Sequence, residues 1–156
     1  MSIILPADGD FLECVTSVIL VLTLVVTYYQ AYLVRQANYA TAYKVARDIL
    51  QDQEIRDARK HVLAVLKFKD YKKWSKRDKA EAEKVCQSYD SVGQMVRKKM
   101  LPEKYIVDNW LVGLRDSWEI LKPLVIEYRT ERDYPRNWDD FEYLAKKAMA
   151  LYSQQN

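Results

Sequence analysis

The chain has 156 residues, 49% apolar and 30% charged, with a formal net charge of +3. That length leaves room for one domain of ordinary size, and only 3 Gly and 4 Pro argue against a sheet of many short strands and for long helices. Charge is unevenly spread: residues 1–34 hold three acids, Asp8, Asp10 and Glu13, and no Lys or Arg, so the remainder carries all 25 basic residues against 19 acids, a formal +6. Such a surplus suits anionic lipid headgroups and would tolerate nucleic acid nearby.

The first element is an apolar helix. Cys14 to Val34 is a run of 21 residues without a formal charge, centred on Val18-Ile19-Leu20-Val21-Leu22-Thr23-Leu24-Val25-Val26. At ~1.5 Å per residue it spans roughly 31 Å, the thickness of a hydrocarbon core. Tyr28, Tyr29 and Tyr32 stand where an interfacial aromatic belt would be, and Arg35 is the first positive charge beyond them. A secretory signal peptide needs a basic leading segment, a shorter apolar run and a small-x-small cleavage site, none of which these residues supply. The expected division is residues 1–13 as a short extracytoplasmic N-terminus, 14–34 as a transmembrane helix and 35–156 as a cytosolic helical domain. Acids before the span and bases after it set that orientation. Cys86 would then face a reducing compartment, where no structural disulfide is expected.

The helix should continue past the span as a stalk. Gln30 to Leu50 lacks Gly and Pro, with Tyr32, Tyr39 and Ala46 at seven-residue spacing. A second helix is predicted from about Gln53 to Lys67, with Ile55, Ala58, Val62, Val65 and Leu66 on one face. The loop Asp70-Tyr71-Lys72-Lys73-Trp74 follows, then Ser75 as an N-cap with Asp78 in the first turn. Ala82, Val85, Cys86, Tyr89, Val92, Gly93, Val96 and Met100 give the third helix the clearest periodicity in the chain. Leu101-Pro102 interrupts it. A fourth helix turns Ile106, Trp110, Leu114, Trp118 and Leu121 inward and is expected to kink or break at Pro123 before Leu124 to Arg132 continue. Tyr134-Pro135 makes a turn, Asn137 caps, and a last helix runs from Trp138 to about Tyr152. The fold class is all-α: an N-terminal transmembrane helix continuing into a stalk, then a bundle of about four to five helices.

Three groups of residues could carry function. On a helical wheel at ~100° per residue, Glu13, Thr16, Thr23, Thr27 and Gln30 fall within roughly 100° of one another. In lipid such a stripe can bond across helices of an oligomer or line a water-filled path; alternatively each Thr bonds back to its own i−4 carbonyl. Arg56 and the only histidine, His61, read R-polar-x3-H; His can shuttle a proton near neutral pH and Arg can hold a phosphate. On a regular helix that pair points ~140° apart. Arg129, Arg132 and Arg136, interleaved with Tyr134 and Trp138, could grip a phosphate and stack a base, although Glu131, Asp133, Asp139 and Asp140 offset much of the charge. Cys86 has no Cys or His at metal-ligand spacing and reads as a buried structural thiol. With no Gly-rich phosphate loop, paired Cys or His site, or Ser elbow, neither a cofactor nor a metal is expected, and a conventional hydrolase or kinase is disfavoured.

The order of the N-terminal span, Val85-Cys86-x-x-Tyr89-x-x-Val92-Gly93-x-x-Val96, Trp118-x-x-Leu121-x-Pro123 and Phe141-Glu142-x-Leu144-Ala145 resembles a group of small bacterial membrane-anchored proteins classed as a domain of unknown function. These are packing residues, so the resemblance implies an architecture and a bacterial inner membrane but no active site. The span, Arg56 and His61, and the polar stripe are also similar to the membrane-anchored accessory proteins of RNA-targeting CRISPR systems. Those pair one span with a divergent HEPN-like helical domain and act as oligomeric pores in antiphage defence. The expected function is therefore that of a non-enzymatic, homo-oligomeric membrane protein, with the lipid bilayer and copies of itself as partners. One alternative is a membrane-tethered, metal-independent HEPN-type ribonuclease using Arg56 and His61 on RNA. The other is a binding module in which a nucleotide signal, a protein partner or an RNA-guided effector complex engages the Arg129, Arg132 and Arg136 segment.

Overall fold

In the computed structural model residues 8–131 and 134–155 are described, and all their regular structure is helical. Five α-helices follow in order: α1 (Asp8–Gln51), α2 (Gln53–Ala64), α3 (Lys76–Arg97), α4 (Glu103–Glu131) and α5 (Asp139–Gln155), with two 3-10 turns, Leu66–Phe68 and Tyr71–Lys73, between α2 and α3. The chain divides into two units, residues 1–38 and 39–156.

The described residues of the first unit, from Asp8 on, form one helical segment. From Phe11 to Val34 its large apolar side chains leave between 38% and 75% of their surface exposed. An 18-residue window of this helix reaches a mean hydropathy of 2.1 with none of it buried, so it is long and apolar enough to cross a membrane. That much uncovered apolar surface is unfavourable in water.

The second unit has an ordinary core. Ala42, Ala46 and Leu50 on the last turns of α1 are buried, as are Ala58 and Val62 on α2. The stretch from Ala82 to Val96 carries the face the periodicity anticipated: Ala82, Val85, Cys86, Tyr89, Val92 and Val96 are all buried. Tyr89 stacks on Phe141 of α5 at 5.1 Å, and Trp118 of α4 meets Phe141 edge-on at 5.2 Å, joining three helices through aromatic rings.

The helix boundaries have local causes. Asp52 ends α1 and caps α2, its side chain accepting the N–H of Glu54 at 2.9 Å, while Arg59 reaches back to the Leu50 carbonyl at 2.8 Å. Ser75 and Asp78 form a complete capping box at the start of α3. Four expectations need correction. α2 ends at Ala64, not Lys67, because the chain tightens into the Leu66–Phe68 turn that buries Leu66. Met100 lies beyond α3 and is half-exposed; Lys99 turns left-handed at φ 58° just before it, ending the helix. α4 runs through Pro123 on an exposed face, where the Glu119 carbonyl left without its helical donor can take water; the backbone instead leaves helical geometry at Trp110, with φ −122° and ψ 18°. Asn137 is not the cap of α5. Trp138 turns left-handed at φ 57°, and the first N–H groups of α5 are taken by Asp90 on α3.

Candidate functional site

Three candidate regions can be built from their side chains upward, beginning with the stripe on α1. Thr16 donates to the Leu12 carbonyl at 2.7 Å, Thr23 to Ile19 at 2.8 Å and Thr27 to Thr23 at 2.8 Å. Each hydroxyl proton is thus used by its own helix, leaving an oxygen that can still accept and a methyl group that can pack. Glu13 and Gln30 complete the stripe and are exposed. With Leu20 added, the positions 13, 16, 20, 23, 27 and 30 step alternately by three and four residues. This is the spacing of a seam between two helices wound left-handed about each other.

Arg56 and His61 are not arranged as a pair. Arg56 is exposed on α2. His61 Nε2 lies 2.8 Å from Asp78 Oδ1, and the other oxygen of Asp78 receives the Lys69 ammonium at 2.5 Å and the Ser75 backbone N–H at 2.7 Å. The Lys69 bond, followed by the Ser75 N–H, holds the Asp78 carboxyl well below its ordinary value, burial opposing them. The cluster joins α2, the loop and the N-terminus of α3, which is a structural task. Nothing in the spacing of Arg56 and His61 signalled Asp78 as the partner; the Ser75-x-x-Asp78 motif did mark the carboxylate.

The arginine segment is also divided. Arg129 is mostly buried: Nε donates to the Asn137 carbonyl at 2.9 Å and one terminal nitrogen to Glu142 at 2.6 Å, while the other lies at ion-pair distance, 3.0 Å, from Asp139 without forming a hydrogen bond. It ties the end of α4 to the start of α5. Arg136 is 81% exposed and reaches Asp139 only at 3.4 Å. Arg132 lies outside the described residues. Cys86 is fully buried, and burial pushes its thiol well above the ordinary value, with Asp90 and Glu83 adding to it.

One concavity had no signal in the sequence. Ile49, Ile55, Ala80, Gln87, Ser88 and Trp138 line an open, largely apolar groove of about 650 Å³. Glu54 and Lys84 also line it, Lys84 bridging Glu54 and Glu81 at 2.7 and 3.1 Å.

A family model described as "Domain of unknown function (DUF4760)" matches residues 17–148. No curated protein and no solved structure matches the chain.

Proposed function

The chain belongs to this domain-of-unknown-function family, and from that premise we propose that it is a single-span membrane protein that works without catalysis by associating with copies of itself. In this reading residues 14–34 cross a bacterial inner membrane, residues 1–13 lie outside and residues 35–156 form the cytosolic domain. The observation that carries it is the α1 surface: an apolar helix with no covering, interrupted on one side by a three-four seam of Glu13, Thr16, Leu20, Thr23, Thr27 and Gln30. Lipid satisfies the apolar sides. The small hydroxyl-bearing residues let a second helix approach closely, and their oxygens accept hydrogen bonds from it. Because the threonine protons are already bonded to backbone, the seam favours tight helix contact; an oligomer that opens into a pore, as in antiphage defence, is the finer form of the same reading.

Cysteine cross-linking in native membranes tests this. With Cys14 replaced by Ser, Thr23→Cys should form a disulfide-linked dimer on mild oxidation, whereas Val25→Cys, on the opposite side of the helix, should not. Equal cross-linking at both positions would mean random collision, and none at either would remove self-association through α1. For the HEPN-type ribonuclease alternative, metal-independent RNA cleavage abolished by His61→Ala with the fold intact is the required result.

A further inference from the structure

The loop between α2 and α3 presents a basic and apolar surface that neither the anchor nor the seam uses. Between Lys67 and Arg77 there are six basic residues and one acid, Asp70. The loop is braced from beneath. Leu66 and Trp74 are buried, Trp74 Nε1 donates to the Lys69 carbonyl at 3.2 Å, and Tyr71 packs edge-on against Trp74 at 4.9 Å. Tyr71 also donates to Glu127 of α4, which Lys79 holds at 2.7 Å. With those side chains turned inward, Phe68 is left 82% exposed, more than any other large apolar side chain described, including those of the span. Val65 stands beside it at 45%, and the Lys67 ammonium lies 5.9 Å from the centre of the Phe68 ring. Lys72, Lys73, Lys76 and Arg77 are exposed.

We propose that this loop is a second membrane contact, binding an anionic bilayer surface with Phe68 inserted among the acyl chains and Lys67, Lys72 and Lys73 against the headgroups. The chemistry is complementary: a phenyl ring prefers the interfacial region to water, and clustered lysines are drawn to a negative leaflet. Either signal alone gives weak, reversible binding, but a span in the same chain keeps lipid at high effective concentration. Bracing by Trp74, Tyr71 and Glu127 means little conformational freedom is lost when the loop binds. The inference rests on the membrane reading of α1, and the test separates the two.

The full chain is reconstituted into vesicles of phosphatidylcholine alone or mixed with phosphatidylglycerol, and lysine acetylation is followed residue by residue by mass spectrometry. Lys67, Lys72 and Lys73 should react about fivefold or more slowly in the anionic vesicles, with Lys146 on α5 unchanged as the reference. High salt and the exposed-site variant Phe68→Ser combined with Lys72→Gln and Lys73→Gln should restore the rate at Lys67. Equal rates in both lipids, equal slowing at Lys146, or protection of Lys67 that survives the variant would each overturn the proposal. Slowing that tracks protein density rather than lipid charge would assign the surface to a second copy and overturn it too. A chain that floats with neither vesicle loses the membrane reading itself; one that floats with both but labels equally loses only the loop.

Discussion

Gly93 of α3 lies so close to Asp140 of α5 that a Cβ on it would stand 2.4 Å from the Asp140 carbonyl oxygen and 2.7 Å from its carbon. Both are backbone atoms, so no side-chain rotation relieves the contact. Gly93→Ala must push α5 away from α3 and loosen the Tyr89–Phe141 stack between them, at a cost of about 1–3 kcal/mol. Thermal unfolding followed by circular dichroism should show a midpoint several degrees lower. An unchanged midpoint would mean that α3 and α5 are not in this contact.

Asp90 makes the neighbouring contact, its Oδ1 accepting the N–H of Asp140 at 3.0 Å and of Phe141 at 3.1 Å. Burial pushes its carboxyl above the ordinary value, and these two bonds only partly offset that; the nearby Asp140 and Asp139 add to the rise. A folded pKa above the unfolded one makes this group's contribution greatest at low pH, and it declines as pH rises through the folded pKa. Asp90→Ala should therefore cost about 1–2 kcal/mol through loss of the cap. Asp90→Asn keeps an accepting oxygen without the buried charge and should be nearly neutral at pH 7. Urea denaturation of the two variants distinguishes them, and equal damage from both would rule out this role.

Asp78 has the opposite sign. Its carboxyl is held below the ordinary 3.8, first by Lys69, so its stabilising effect is present above that pH and is lost as pH falls through the folded value. The wild-type chain should lose stability on the acid side, and Asp78→Asn should flatten that limb while lowering stability by about 2 kcal/mol at pH 7. Unfolding free energy measured across the acid range is the check; a variant with the wild-type acid slope would place the dependence elsewhere.

The two described arginines of the α4–α5 segment should separate sharply. Arg129→Ala removes the donor to the Asn137 carbonyl and one of the two cations beside each of Asp139 and Glu142 and should cost about 2 kcal/mol, whereas Arg136→Ala should stay within about 0.5 kcal/mol. If Arg136→Ala instead abolishes a thermal shift induced by an oligonucleotide while stability is unchanged, the segment is a ligand site.

What could be read from the sequence was what depends on near neighbours. The face of α3 from Ala82 to Val96 follows from spacing alone, and Ser75-x-x-Asp78 marked a helix start before any fold was known. Contacts between distant segments were not legible. Asn137 has the chemistry of a cap, yet Asp90, on α3, occupies that position because Gly93 lets the two helices touch. Pro123 suggested a break by its chemistry, but it stands on an exposed face where the lost hydrogen bond costs little. The threonine stripe was visible as a pattern, and its bonding to the i−4 carbonyls was one of the alternatives the residues left open. His61 fitted a short catalytic spacing by chemistry, while its Asp78 partner comes from a different helix.

If α1 is embedded in lipid, its location is the most direct measurement of all. Detergent-free lysate carrying the intact chain is cleared by ultracentrifugation and the pellet is washed with alkaline carbonate. The chain should sediment with the membranes, resist the wash and enter solution only with detergent. Recovery in the first supernatant would contradict the span, and release by carbonate would reduce it to a surface attachment.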